Sequence, residues 1–454
     1  MSVTEELSEF AVATSFSDIP SRVIEQTKKP IRDYIGVAVH GSGQDIGGII
    51  QEYVDAEFAG EESTLFNGAG ASPSGAALAN GTFGHAIDYD DTFESVAIHP
   101  TSPIFSAALA VGEAEGATGR DVLTAYVLGS EIAFNIEQGI SPSHYDKGWH
   151  STGTTGSFGA TAAAGALLEL SIDGMQRAFG IVGSASSSLR KNFGSMTKPL
   201  HAGHAAQMGV RAATLSQAGF TADSQIFAGD LGYGTVMTGE EGYEASAMTE
   251  GLSESGWAVT EISFKPYPSG ALTHAPMEAL RRLIEREDIS PDEVESITVS
   301  VDESTEGVLL HDNPEDALQA KFSLEFCMAI ILCERQATIY EFQDDVVKSK
   351  RIQDQMRKVD RSYESELFEG DYSRRAGRVT VTMTDGTVYE EGERFTPGTP
   401  TNPASDERLK EKFFRCVDSV RDEAMAEKLS EGIENLDQRD SEITDLTNIL
   451  RDSS

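Results

Sequence analysis

The chain has 454 residues, 74 of them acidic and 35 basic, for a formal charge of −39 at neutral pH. Single cores stop growing at roughly 250–300 residues, so two domains are expected. The charge would repel a nucleic-acid backbone or an anionic membrane surface, which excludes both as partners.

Acids are spread along the whole chain, which fits adaptation to high internal salt, where screening removes self-repulsion, better than solubility alone. The start of the chain carries Glu5, Glu6 and Glu9 and lacks the basic and apolar stretches of a secretory leader. No apolar run approaches the ~18–20 residues that span a bilayer. A cytoplasmic protein is expected. Cys327, Cys333 and Cys416 form no CxxC, support neither a disulfide framework nor a cysteine metal site, and read as small core residues.

From Ile19 to Leu215 the patterns are helical, and no strand-like alternation is expected there. Val23, Thr27, Ile31, Tyr34 and Ile35 recur at helical spacing up to Gly41 and Gly43. A second pattern spans Asp121 to Ile136. A third, Gly156 to Leu170, is so poor in bulk that it predicts a central helix approached closely by others. After Gly256 the texture changes. Ile297, Val299 and Val301 alternate with polar residues, and Arg378 to Glu390 predicts a hairpin about Asp385-Gly386. Helices are predicted at Ala275 to Glu287 and Ala320 to Arg335, giving an α+β region. Thr396 to Pro403 reads as a linker, followed by helices at Glu407 to Leu429 and Asp440 to Leu450 that can pack back on the first domain.

Seven of the nine histidines lie between positions 85 and 274, mostly among Gly, Ser and Thr. Histidine is the side chain best placed to exchange protons near neutrality. In His85-Ala-Ile-Asp-Tyr-Asp-Asp-Thr92, two readings compete. His85, Asp88 and Asp91 can ligate a divalent metal. Alternatively Asp88 and Thr92, four apart on a helix, orient a histidine or a substrate hydroxyl. The second is preferred, because no metal-ligand spacing such as HExxH occurs. His99 follows in HPTSP.

Gly148-Trp-His150-Ser-Thr-Gly-Thr-Thr-Gly156 offers hydroxyls and free N–H groups ahead of a helix, a seat for an anion. It lacks the phosphate-loop pattern, and Ser151 lacks GxSxG, so nucleotide binding and a serine triad are not supported. On a chain this acidic, basic residues in apolar, small-residue segments are informative. Lys198 opens an apolar helix and can fix a substrate carboxylate as a point charge. Lys265 sits in Phe264-Lys-Pro-Tyr-Pro-Ser-Gly-Ala-Leu-Thr-His274, between the two textures, where ligand clefts are preferred.

These segments resemble the MmgE/PrpD family. The motifs are GHAIDYDDT, HPTSP, GWHSTGTTGSFGA, FGSMTKPLHAGHAA, FKPYPSGALTH, AKFSLEF and GTPTNPASDERLKEKF, in family order along nearly the whole chain. The resemblance implies an all-helical domain from residues 1–256 with 397–454, a smaller α+β lid at 257–396, and a homodimer. It implies catalysis without metal or organic cofactor in a pocket between the two. Asp88, Thr92, His99, His150, Lys198 and His274 match the family's active-site positions, and Lys265, Tyr267, Ser269 and Gly270 its substrate-binding lid loop. Two departures stand out. His204 replaces a frequent arginine, removing a cation from the substrate's surroundings, and Phe326 replaces a frequent tyrosine, removing a hydroxyl contact.

The family's reactions, dehydration of 2-methylcitrate, decarboxylation of cis-aconitate and epimerisation of iminodisuccinate, all move a proton at a carbon next to a carboxylate. Such a site needs stabilisation of negative charge, expected from Lys198, Thr92 and the Gly153–Gly156 amides, and a base within about 3 Å of the proton. His99 and His150 are assigned to proton transfer, Asp88 to orienting one of them, and His274 to closure from the lid. The expectation is a lyase acting on a small polycarboxylate. Epimerisation, a family-derived binding protein without catalysis, and a metal-dependent hydrolase built on His85 remain as alternatives. The KPYPSG form of the lid loop is more like the decarboxylase and epimerase branch.

Overall fold

The computed structural model describes all residues except 94, 253–255, 365–366, 368–374, 440 and 453–454. The protein is mainly helical, with a smaller α+β part. Around its centre the helices Pro73–His85, Thr101–Ala114, Gly119–Gln138, Ser151–Leu167 and Thr197–Gln217 pack on one another. Their poverty in bulk is what allows this. A Cβ on Gly203 would stand 2.2 Å from the Leu78 carbonyl oxygen, and one on Gly209 would stand 2.5 Å from the Ala160 Cβ. The helices therefore touch backbone to backbone, and a larger residue at either glycine would drive them apart.

The second pattern becomes Gly119–Gln138, started by a capping box between Thr118 and Asp121. The third begins earlier than predicted, at Ser151, with His150 as the extended residue before it. Two small ladders correct the expectation of a strand-free first half. Ser63–Thr64 pairs with Gly70–Ala71, and Thr92–Phe93 pairs with Ile262–Ser263. The second ladder ties the two textures together at the edge of the site.

Beyond it, four strands form one sheet in the order Val359–Tyr363, Val294–Val301, Gly377–Met383, Val388–Glu393. The first pair is parallel and the rest antiparallel. Ile297, Val299, Val379 and Val381 bury one face against the helices His274–Glu287 and Leu324–Glu334. The predicted hairpin turns at Gly386, whose φ of +88° favours glycine.

Two predicted helices are interrupted. The 320–335 pattern breaks at Lys321–Ser323, where the Ser323 hydroxyl accepts the Phe326 N–H and starts a new helix. The 407–429 pattern breaks into Asp406–Asp418 and Glu423–Glu434 at a new cap, Asp422. Asp440 lies outside the described residues, and the last helix runs Ile443–Arg451. Phe413, Cys416, Leu429 and Leu446 join the same core as the first helices. All three cysteines are free and buried. Among the described residues no helix is long and apolar enough to cross a membrane.

Candidate active site

The helix that carries GHAIDYDDT ends at His85, and Asp88 takes a left-handed φ of +54°. Aspartate tolerates that region better than most residues, and the turn it makes sends successive carboxylates in different directions. Asp88 and Thr92 therefore do not share a helix face as expected; Thr92 lies in the short ladder. Both nevertheless line one cavity of about 640 Å³ together with His99, His150, Lys198, Lys265 and Gly270.

At its buried end a chain of charge-assisted bonds orders the groups. Asp90 accepts from Ser102 Oγ at 2.6 Å and stands 2.9 Å from His85 Nδ1. Lys198 Nζ donates to His85 Nε2 at 3.0 Å and to Asp88 Oδ1 at 2.6 Å. An ammonium only donates, so His85 Nε2 carries the lone pair and Nδ1–H donates to Asp90. The third N–H of Lys198 meets no acceptor among the described residues. Its Nζ is flanked by the rings of Phe193 and Phe322, each 5.2 Å away. Lys265 differs. Its Nζ donates to Asp88 O at 2.9 Å and to Ser269 O at 3.1 Å and ion-pairs with Asp88 Oδ1 at 2.9 Å, so the protein surrounds it with three acceptors.

Burial pushes the Asp88 carboxyl up, but Lys198, Lys265, His99 and His85 hold it well below the carboxylate range. Burial pushes Lys265 down to about 8 against the pull of Asp88. Burial pushes His99 down to about 3 although Asp90 opposes it, and burial with Lys198 and His201 pushes His150 well below its ordinary value. Both imidazoles are thus neutral in the free protein. The His99 backbone N–H donates to Thr152 Oγ1 at 3.0 Å, and its ring meets the His85 ring edge-on at 4.4 Å. His150 Nδ1 lies 3.0 Å from His201 Nδ1.

His85, Asp88, Asp90 and His99 offer ligand atoms within 4.8 Å of one another, the one such group among the described residues. The expected Asp91 is not in it. Asp91 bonds Thr101, and burial pushes its carboxyl well up. The Lys198 ammonium already bridges His85 Nε2 and Asp88 Oδ1, the place a cation would take between those two ligands.

Several expectations are corrected. The Gly153 and Thr154 amides donate to the His150 carbonyl inside the helix, so the Gly153–Gly156 stretch offers no free anion seat. Tyr267, Ser269 and His274 do not line the cavity. The Tyr267 hydroxyl donates to Glu278 at 2.9 Å, the Ser269 hydroxyl pairs with Thr273 at 2.8 Å, and His274 Nε2 meets the Ser269 carbonyl at 3.1 Å. They brace the loop that carries Lys265 and Gly270. His204 and Phe326 also lie off the cavity, Phe326 packing on Phe342 in the second core, so neither departure touches its contents.

Four features were not anticipated: Asp90, His201, Arg190 and Arg375. Arg375 lines the cavity and donates to Thr92 Oγ1 at 3.1 Å and Phe93 O at 2.9 Å. No motif surrounds it. His201 was findable, being three residues after Lys198 and so near the same helix face.

A model of the MmgE/PrpD N-terminal domain matches residues 5–246, and one of the C-terminal domain matches 267–438. The cis-aconitate decarboxylase of Aspergillus terreus is 27% identical over 99% of this chain and 95% of its own length. That of Homo sapiens is 24% identical over 100% and 95%, and a cis-aconitate decarboxylase-like protein of Aspergillus oryzae is 25% identical over 96% and 94%. With both domain models matched in order over most of its length, the chain belongs to the MmgE/PrpD family.

Proposed function

We propose that the protein is a lyase that removes carbon dioxide from a small unsaturated polycarboxylate, with cis-aconitate the first candidate, using side chains alone. One observation carries the reading: buried Lys198, whose third N–H meets no acceptor among the described residues, lines one cavity together with the imidazoles of His99 and His150. The names of the relatives support the choice of decarboxylation over dehydration or epimerisation.

Breaking the bond to a departing carboxylate leaves an electron pair on carbon. That pair is stabilised when a neighbouring carboxylate is held by a preorganised cation, here Lys198, with Thr92 and Arg375 along the adjacent wall. The carbon must then receive a proton. Neutral imidazoles are poor donors, but a bound polyanion brings negative charge beside them and raises their pKa. Substrate binding therefore supplies the protonated His150 or His99 that the step needs. Asp88 fixes Lys198 in place and Lys265 fixes Asp88, so Lys265 serves the substrate indirectly. The exposed Asp146, Glu303 and Glu306 also line the cavity, and their charge opposes anion entry at low salt.

The same proposal includes the division into a helical unit of 1–256 with 397–454 and a lid of 257–396, a homodimer, and a salt-adapted surface. The experiment is incubation with cis-aconitate, citrate and 2-methylcitrate, followed by proton NMR in deuterated water. A product with one carboxylate fewer and one carbon-bound deuterium supports the reading. Loss of water, or exchange without carbon dioxide, moves the reaction to a dehydratase or an epimerase.

A further inference from the structure

We infer that His201 is the positioning residue for proton transfer by His150: its Nδ1 accepts the Nδ1–H of His150 and leaves the His150 Nε2 as the nitrogen that meets substrate. This rests on the decarboxylase reading. The two Nδ1 atoms lie 3.0 Å apart, both rings are buried, and at most one of the two can supply the shared proton. His150 is the extended residue just before its helix, so it projects from the helix end into the cavity, while His201 approaches from the Lys198 helix one turn farther on.

The approach is built in. A Cβ on Gly153 would stand 1.9 Å from Ser188 Oγ and 3.1 Å from His201 Cβ, so a larger residue in that first turn would displace Ser188 and press on His201. Among the described residues the groups facing His201 are His150, His85, Lys198, His204 and Ser188, none of them a carboxylate. Here the structure treats two neighbouring imidazoles differently. His85 has Asp90 as its acceptor and a lysine on its other nitrogen, so neither nitrogen is free to exchange a proton. His150 has an imidazole instead, which while neutral orients it and, as an acceptor, stabilises its cation without holding it permanently charged; only a charged His201 opposes that cation. Burial and the nearby lysine keep both His150 and His201 neutral until an anion arrives.

The step balances as follows. The carbon–carboxylate bond breaks, carbon dioxide leaves, and the electron pair stays on carbon, delocalised toward the carboxylate held by Lys198. The carbon takes the Nε2 proton of the His150 cation, whose Nδ1–H remains donated to His201 throughout. Water restores the Nε2 proton, and one proton is consumed per carbon dioxide released. The activity carried by the protonated form is lost as pH rises through the pKa of His150 in the complex.

The test uses His201→Leu, His201→Asn and His201→Asp in the full-length protein, with kcat, KM and the alkaline limb of the kcat profile measured on an acid that the wild type decarboxylates. Leucine removes the acceptor, so kcat should fall about 10²-fold with little change in KM, and the limb should move to lower pH. Asparagine can present an oxygen in the Nδ1 position and should recover most of kcat. Aspartate, a charged acceptor, should move the limb to higher pH. A folded leucine variant with wild-type kcat and profile overturns the inference, as does an asparagine variant as slow as the leucine one. If leucine prevents folding, identical limbs in the aspartate, asparagine and wild-type proteins overturn it. A wild type that releases carbon dioxide from none of the acids refutes the decarboxylase reading and this inference with it, whereas an active wild type with unaffected variants refutes this inference alone.

Discussion

The two walls of the cavity are built from similar residues and used differently. On the helical side, His99, His150 and Lys198 present atoms to the cavity. On the loop from Lys265 to His274, the polar groups satisfy one another: Tyr267 bonds Glu278, Ser269 bonds Thr273, and Lys265 engages three protein acceptors. Polar residue types alone therefore do not distinguish a reacting wall from a bracing one. What distinguishes them is whether the side chain still has an uncommitted donor or lone pair, because a fully satisfied buried group has nothing left to offer a ligand.

The comparison is sharpened most by Lys198→Met. The change keeps much of the stem and removes the charge, so kcat/KM should fall by about 10³-fold or more through loss of transition-state stabilisation. His150→Gln should come next, lowering kcat by about 10²–10⁴-fold with a modest change in KM. Steady-state kinetics on both purified variants, with melting curves to show that they fold, checks the pair. If His150→Gln keeps normal kcat, proton transfer moves to His99. On the bracing side, Tyr267→Phe should cost about 1 kcal/mol of stability, read by denaturant titration, and change kcat/KM by less than about threefold. A larger kinetic loss than Lys198→Met would invert the assignment of the walls.

A pH series separates the same groups by stability. His99, His150 and His274 have folded-state pKa values pushed down, by burial above all, so the unfolded chain binds more protons once pH falls below about 6.5. Stability should therefore drop as pH falls from about 7 toward 5. Asp88, held down by its lysines, contributes stability that is lost only on further acidification through the carboxylate range. His274→Asn should flatten part of the first drop while leaving activity closer to wild type than His150→Gln does. The smallest effect concerns the outer surface. Melting temperature should rise with potassium chloride as screening relieves repulsion among 74 acidic side chains, and a flat curve would remove salt adaptation as the explanation.

Much of the site was legible because local sequence carried it. GHAIDYDDT, KPLH and FKPYPSG marked the segments whose residues converge, and Lys198 stood out as a cation opening an apolar helix. The role of each member was not legible where packing decided it. Asp90 rather than Asp91 faces His85 because the left-handed turn at Asp88 alternates the carboxylates, which no spacing rule announces. Gly153 read as lying ahead of a helix that begins at Gly156, yet close helix contacts override its low helix propensity and the helix, starting at Ser151, uses up the amides from Gly153 to Gly156. Arg375 arrives from a distant segment with no motif around it. Interruptions at Lys321–Ser323 and before Asp422 fell inside continuous apolar patterns, where capping side chains prevailed over periodicity.

The central claim is that the helical wall, with Lys198 at its buried end, drives loss of carbon dioxide and protonation of the same carbon. It is tested most directly by following carbon dioxide release and carbon-bound deuterium together, for wild type and Lys198→Met after exhaustive chelation, with cis-aconitate in deuterated water. The account predicts one deuterium incorporated per carbon dioxide released by the chelated wild type, and a fall of about 10³-fold in kcat/KM for the variant. Deuterium exchange without carbon dioxide, activity restored only by added divalent metal, or a variant as fast as wild type would contradict it.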